Sequence, residues 1–413
     1  MRVLAGNAAE KRVREMEQRA SRLNYVKPEV HKIVSDVRRN GDKALVKYAR
    51  KWDGLQVLQG LRVEESEMRA ARDSASPELR SALEQAAANI QRFCEWQKPA
   101  EWMKNNDGIS LGQVVRPLDS VGCYVPGGRY PLPSTLLMTV IPAQVAGVRE
   151  VRVVSPKPRP ETLAAAALLG ISEFYRVGGA HAIAALAYGT ESIGHVDKIV
   201  GPGNLFVTAA KKMVAFDCSI DFLAGPTEVV IVAEDGEPEF IAADLVAQAE
   251  HDPEALAVFI TSSTDFAVSV AACARRAAKS NPTARKSLAA NGAALVADTH
   301  GQALDWANRI APEHITVSRA DLDSVRSVGS VFVGDYSPQA VGDYASGPNH
   351  VLPTAGAARY RGGLSVLDFV KIITVQELTP RSLSRIASVV TTLANAEGLE
   401  AHAESVRVRC AHA

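Results

Sequence analysis

Apolar positions in the first hundred residues recur at three- and four-residue intervals, which predicts helices over 8–23, 28–39, 43–52 and 77–96. Asn40-Gly41 and Asp53-Gly54 punctuate the second and third of these. From about residue 113 the pattern changes, and short β-branched runs alternate with Ala-rich stretches of helical period, as in βαβ units around a parallel sheet. One set of strands is expected at 151–155, 174–177 and 198–200, with helices at 160–169, 180–187 and 205–214. A second set is expected at 229–233, 256–261, 294–297, 314–317 and 330–333. Two sheets in one chain predict a cleft between them, where α/β folds bind ligands. After Tyr336 the rhythm stops, the chain is rich in Gly, Pro and Asn through Pro353, and a helical tail is expected from about Leu378.

Composition narrows the function classes. The 413 residues predict about two to three folded units. Lys plus Arg and Asp plus Glu both number 46, so no charge excess is available to hold a polyanion, and no nucleic-acid partner is expected. The most apolar stretch, 132–148, is interrupted by Pro133 and Pro142, so no membrane span is expected. The first residues lack an export-type apolar run, and the five cysteines are scattered with no C-x-x-C pair. Together these features point to a cytoplasmic protein without a disulfide framework.

Several segments carry candidate chemistry. Gln248 and His251 in LVAQAEHDPEA share one face at a helix end stopped by Pro253. Glu313 and His314 in APEH are adjacent at a strand entrance, so they serve one pocket only where the backbone departs from regular strand geometry. The segment VGDYASGPNHVLPT packs Asp343, Tyr344, Ser346, Asn349 and His350 into a loop fixed by Gly and Pro. Glu397 and His402 flank Gly398 in the tail. Taken singly, Gln248 with His251, Glu313 with His314, and Glu397 with His402 each fit a solvated helix or strand end, whereas the loop is the most site-like feature of the chain. Glycine-rich turns at YVPGG, VGGAHA, VGPGN and AGPTE follow expected strands and could present amides to an anion, yet neither a G-x-G-x-x-G fingerprint nor a P-loop occurs.

In this order, YVPGG, RVGGAHAIAALAYGT, DKIVGPGN, AGPTEV, QAEHDPEA, APEH, VGDYASGPNHVLPT and EGLEAH resemble the histidinol dehydrogenase family from about residue 26 to the C-terminus. The resemblance implies zinc-dependent, NAD-linked oxidation of L-histidinol through L-histidinal to L-histidine. It implies zinc ligands Gln248, His251, Asp343 and His402, acid-base work by Glu313 and His314, substrate contacts from Thr227, His350 and Glu397, and cofactor contacts from Tyr124, His181 and Asn204. His181 stands where the family usually has Gln, and Thr227 where it usually has Ser. The implied fold is α/β with two incomplete Rossmann-like domains. One is discontinuous, 23–123 with 227–364, and the other is 124–226. A helical N-terminal arm, 1–22, and a C-terminal extension, 365–413, complete the expectation, with the extension exchanged between subunits of a homodimer that shares its active sites. Two other possibilities stay open at the level of sequence: a paralogous zinc/NAD dehydrogenase acting on another small alcohol such as sulfopropanediol, and a metal- or nucleotide-binding module without turnover.

Overall fold

A computed structural model describes residues 1–19, 26–56, 58–127 and 131–412, and these form two parallel sheets and one antiparallel sheet. The larger sheet has six strands in the order Arg2–Ala5, Ala293–Val296, Leu256–Thr261, Glu228–Val232, His314–Val317, Ser330–Val333, all parallel. Its central strands are buried along their whole length, as their continuous apolar runs require when helices cover both faces. Helices Pro238–Ala249 and Thr264–Ala277 bury Leu245 and Val270 on one face. Helices Gly6–Glu17 and His300–Ile310 bury Val13 and Trp306 on the other.

The second parallel sheet has five strands in the order Glu173–Tyr175, Glu150–Val154, Ser120–Tyr124, Lys198–Val200, Ser219–Ile220. One face packs on Lys27–Trp52, Gly179–Tyr188 and Leu205–Val214 through Leu45, Ile183 and Val207. The other packs on Pro77–Gln97, Pro133–Ala146 and Pro160–Leu168 through Ile90, Leu137 and Leu163. The two helices expected at 28–39 and 43–52 are one helical segment broken at Gly41, whose φ of 50° and ψ of −132° suit glycine. Pro133–Ala146 is helical through Pro142 and buried nearly all round. Among the described residues no helix is long and apolar enough to cross a membrane.

The expected domain boundaries need correction. Residues 1–22 were expected to form an arm, but Arg2–Ala5 pairs with Ala293–Val296 and the following helix buries Ala9, Val13 and Met16 in the core of the six-stranded sheet. Residues 20–25 lie outside the described set. The helices of 27–97, expected to belong with 227–364, instead cover both faces of the five-stranded sheet. The strand Ser120–Tyr124 lies at the centre of that same sheet. Helical periodicity identifies an apolar face without identifying the sheet that it covers. The antiparallel sheet was not anticipated. In it Val370–Leu378 pairs with Ile109–Pro117, which pairs in turn with Trp102–Asn106, and the helices Pro380–Ala396 and Glu400–Ala411 follow.

Candidate functional site

The chain turns out of His300–Ile310 at Ala311, whose φ of 50° is left-handed, and Pro312 then leads into Glu313 and the strand His314–Val317. This irregular entrance lets both adjacent side chains meet the neighbouring strand start at Glu228. The Glu228 N–H donates to Glu313 Oε2 at 2.9 Å, and His314 Nδ1 lies 3.1 Å from the Glu228 carbonyl oxygen. That oxygen can only accept, so Nδ1 carries the proton and Nε2 is left unprotonated in the neutral ring. Nε2 lies 3.8 Å from Asp343 Oδ1.

Burial drives the two groups toward their neutral forms. Glu313 is 7% exposed, and loss of solvation pushes its pKa up to about 8 despite the hydrogen bonds from Thr227 and Glu228. Burial likewise lowers the pKa of His314, an effect that the Asp343 carboxylate opposes. The Thr227 hydroxyl donates to Glu313 Oε2 at 2.5 Å and accepts from the Gln248 amide, so Gln248, Thr227 and Glu313 form one polar chain. Gln248 is buried in the last turn of Pro238–Ala249, while His251, just beyond that helix, is exposed.

Asp343 lies on the short helix Gln339–Tyr344, and its backbone carbonyl accepts from His350 Nδ1 at 2.7 Å. His350 Nε2 is 3.4 Å from the Thr135 hydroxyl, and Asn349 Nδ2 donates to the Met138 carbonyl at 2.6 Å. The Gly- and Pro-rich loop is thereby tied to the helix Pro133–Ala146. His314, Phe332, Asp343, Asn349 and His350 line a cavity of about 230 Å³. Burial lowers the pKa of His350 as well, and His251 is close enough to depress both His314 and His350. Thr135 and Phe332 were missed from sequence, because neither lies in a segment dense in polar groups, and nothing in AGPTE shows that the Glu228 backbone holds two side chains.

Glu397 and His402 are exposed, on and beside the two tail helices, and no side-chain hydrogen bond or ion pair joins either to this group among the described residues. Among the described residues of one chain, no three His, Cys, Asp or Glu side chains converge as a ready metal centre.

The remaining candidates lie at the carboxyl ends of the five-stranded sheet. Ser120–Tyr124 and Lys198–Val200 are adjacent there, although the chain runs from the first outward to Glu150–Val154 and Glu173–Tyr175 before returning. This is the point of reversal at which open α/β sheets hold ligands. The Tyr124 hydroxyl accepts from Gly179 N–H at 3.1 Å, and burial pushes its pKa up to about 12. Asn204 caps Leu205–Val214, accepting from Phe206 and Val207 N–H, and its side chain is exposed. Gly201, with a φ of 110°, presses against the Tyr124 carbonyl, leaving no room for a Cβ. His181 is buried in Gly179–Tyr188, with Nε2 2.7 Å from Asp53 Oδ2 and Nδ1 without a partner. Its ring lies beside Tyr48 and Trp52. Gly128 of YVPGG lies outside the described residues.

The chain is similar to known proteins over nearly its whole length. Residues 16–410 match the family model described as histidinol dehydrogenase. A histidinol dehydrogenase of Natronomonas pharaonis is 49% identical over 405 residues, covering 95% of each chain. One of Methanothermobacter thermautotrophicus is 46% identical over 415 residues, covering 97% of each. The crystal structure of histidinol dehydrogenase from Elizabethkingia anophelis superposes with a TM-score of 0.93 at 35% identity, covering 99% of this chain and 98% of that one. With matches spanning nearly its whole length in both sequence and structure, the chain belongs to the histidinol dehydrogenase family.

Proposed function

We propose that the chain oxidises L-histidinol through L-histidinal to L-histidine, with NAD and zinc as its cofactors. The observation that carries this is the pair of bases on one backbone unit, with distinct roles set by their hydrogen bonds. His314 Nδ1–H is committed to the Glu228 carbonyl, so Nε2 faces the cavity ready to take the alcohol proton. Glu313, in its carboxylate form, takes a proton from water as that water adds to the aldehyde, and the resulting hydrate is the species oxidised to the acid. A pKa near neutrality lets Glu313 accept that proton and release it again.

The donor set suits zinc. Asp343 lines the cavity, Gln248 joins the Glu313 cluster through Thr227, His251 is electrostatically felt at His314, and the nitrogen and oxygen ligands are of the type zinc accepts. His402 would complete the set from a second copy of the chain, making a homodimer with shared sites. Exposed Val389, Leu393 and Val408 on the tail, with exposed Phe240, Val341 and Tyr344 near the cavity, support such a partner. When bound, zinc supplies Lewis acidity and a fixed point for substrate donors, and NAD supplies a hydride acceptor for each step. Thr227, His350 and Glu397 would orient the substrate, and Tyr124, His181 and Asn204 would border the cofactor. Buried, unpaired Cys94, Cys123 and Cys218 support a reducing, cytoplasmic setting.

The test is NAD reduction with L-histidinol against other small alcohols, including sulfopropanediol. Two NADH per histidinol are expected, and faster turnover of another alcohol with none of histidinol would overturn the assignment. A second measurement concerns His181. Because its Nε2 is committed to Asp53, His181→Gln should lower unfolding stability by about 0.5 to 1.5 kcal/mol, with NAD affinity changed by no more than a modest factor. A large loss of NAD affinity at unchanged melting temperature would instead make His181 a direct cofactor ligand.

A further inference from the structure

Both proposed bases are bonded to one residue, Glu228, whose own side chain points into buried surroundings. Glu228 is 3% exposed, and its carboxylate receives Arg19 through two contacts, Nε to Oε1 at 2.5 Å and Nη2 to Oε2 at 2.6 Å. The Ala355 N–H donates to Oε1 at 3.0 Å. Arg19 also donates to the carbonyls of Met16, Ile310 and Ala311. It therefore bridges the end of the first helix, the start of Glu228–Val232 and the turn that delivers Glu313. Two of the residues gathered here, Ala311 and Ala355, have left-handed φ values of 50° and 53°, a conformation that alanine holds only where its surroundings enforce it.

We propose that Arg19 and Glu228 form a clamp that positions Glu313 and His314 for proton transfer. The clamp acts on both bases through a single backbone unit, since the Glu228 N–H holds Glu313 and its carbonyl holds His314. Arg19 also neutralises a carboxylate whose charge opposes ionisation of Glu313. With Arg19 removed, Glu228 would keep one backbone donor for a buried charge, and it would relax by shifting the strand start or drawing in water. Either movement displaces both bases. The inference rests on the roles proposed for Glu313 and His314.

The experiment compares Arg19→Met, Arg19→Lys and the double variant Arg19→Met/Glu228→Gln in the full-length zinc-loaded protein. Rates are taken per folded molecule for the alcohol and aldehyde half-reactions, with amide hydrogen exchange of the segment containing Glu228 as a second readout. Arg19→Met should lower kcat in both half-reactions on the order of 10- to 100-fold, with KM for histidinol and NAD little changed and exchange at the strand start faster. Arg19→Lys should fall between Met and wild type, because one ammonium cannot match a bidentate guanidinium. The double variant should recover most of the lost kcat, since the unpaired charge is gone. Wild-type kcat in Arg19→Met, or a double variant no faster than the single one, overturns the clamp. If Arg19→Met does not fold, Arg19→Lys decides, with wild-type kcat and wild-type exchange as the overturning result. Glu313→Gln is run in parallel. Wild-type rates in that variant would refute the proposed base while exchange at Glu228 still tests the clamp.

Discussion

Glu313→Gln should leave the alcohol-oxidising step largely intact and slow oxidation of the aldehyde by roughly 10²- to 10⁴-fold, the usual contribution of a positioned general base. The amide can still accept from Thr227 and the Glu228 N–H, so the local structure is retained while the capacity to take a proton from water is lost. His314→Asn should impair both half-reactions, because alcohol and hydrate each release an oxygen-bound proton. Single-turnover kinetics with histidinol and histidinal supplied separately would show the difference, and equal losses in the two steps for Glu313→Gln would refute the division of labour. The same substitution has a signature in stability. Burial raises the Glu313 pKa to about 8 in the folded protein, so the folded state holds a proton that the unfolded state releases in the ordinary carboxylate range. Wild-type stability therefore falls as pH rises from that range through about 8, whereas the glutamine variant is spared this loss. In metal-free protein, the melting temperature of Glu313→Gln relative to wild type should be higher at pH 9 than at pH 5.

Chelation should abolish turnover, and zinc should restore it. The sharper test concerns the source of His402. Within one chain this residue is exposed on a tail helix with no bond to Gln248, His251 or Asp343, so a shared site requires the tail of a second copy. His402→Asn and His251→Asn chains should each be inactive alone. Co-expressed, mixed dimers with crossed tails place both defects in one site and leave the other intact, giving up to one working site per mixed dimer. Mixed dimers verified by mass spectrometry but lacking activity would eliminate the shared site.

Much of the strand pattern was legible because parallel strands covered on both faces are continuous apolar runs bounded by turn residues. Leu256–Thr261, His314–Val317, Ser330–Val333 and Lys198–Val200 have the bounds expected of them. Arg2–Ala5 was not legible, since RVLA is a short edge strand that becomes recognisable only beside Ala293–Val296. The pairing of Val370–Leu378 with Ile109–Pro117 joins distant segments whose half-exposed residues carry little alternation. For the site, single segments showed where polar groups concentrate, but they could not show what holds those groups. Arg19 meets Glu228 across 209 positions of sequence, and the elevated pKa of Glu313 arises from burial that no local motif encodes.

The proposed chemical centre sits at the amino ends of its strands, so the helices returning to that edge arrive by their carboxyl termini. Pro238–Ala249, His300–Ile310 and Gln339–Tyr344 all end beside the residues discussed above. Each terminus presents unpaired carbonyls worth roughly half a negative charge, and Asp343 adds a carboxylate to the same region. The resulting potential favours cations, whether a metal ion or the ammonium of an amino alcohol. It disfavours a newly formed carboxylate. Oxidation of the proposed substrate converts a neutral alcohol into that anion in place, so the field that gathers the reactant also opposes retention of the product, and release is helped by the orientation of the sheet itself.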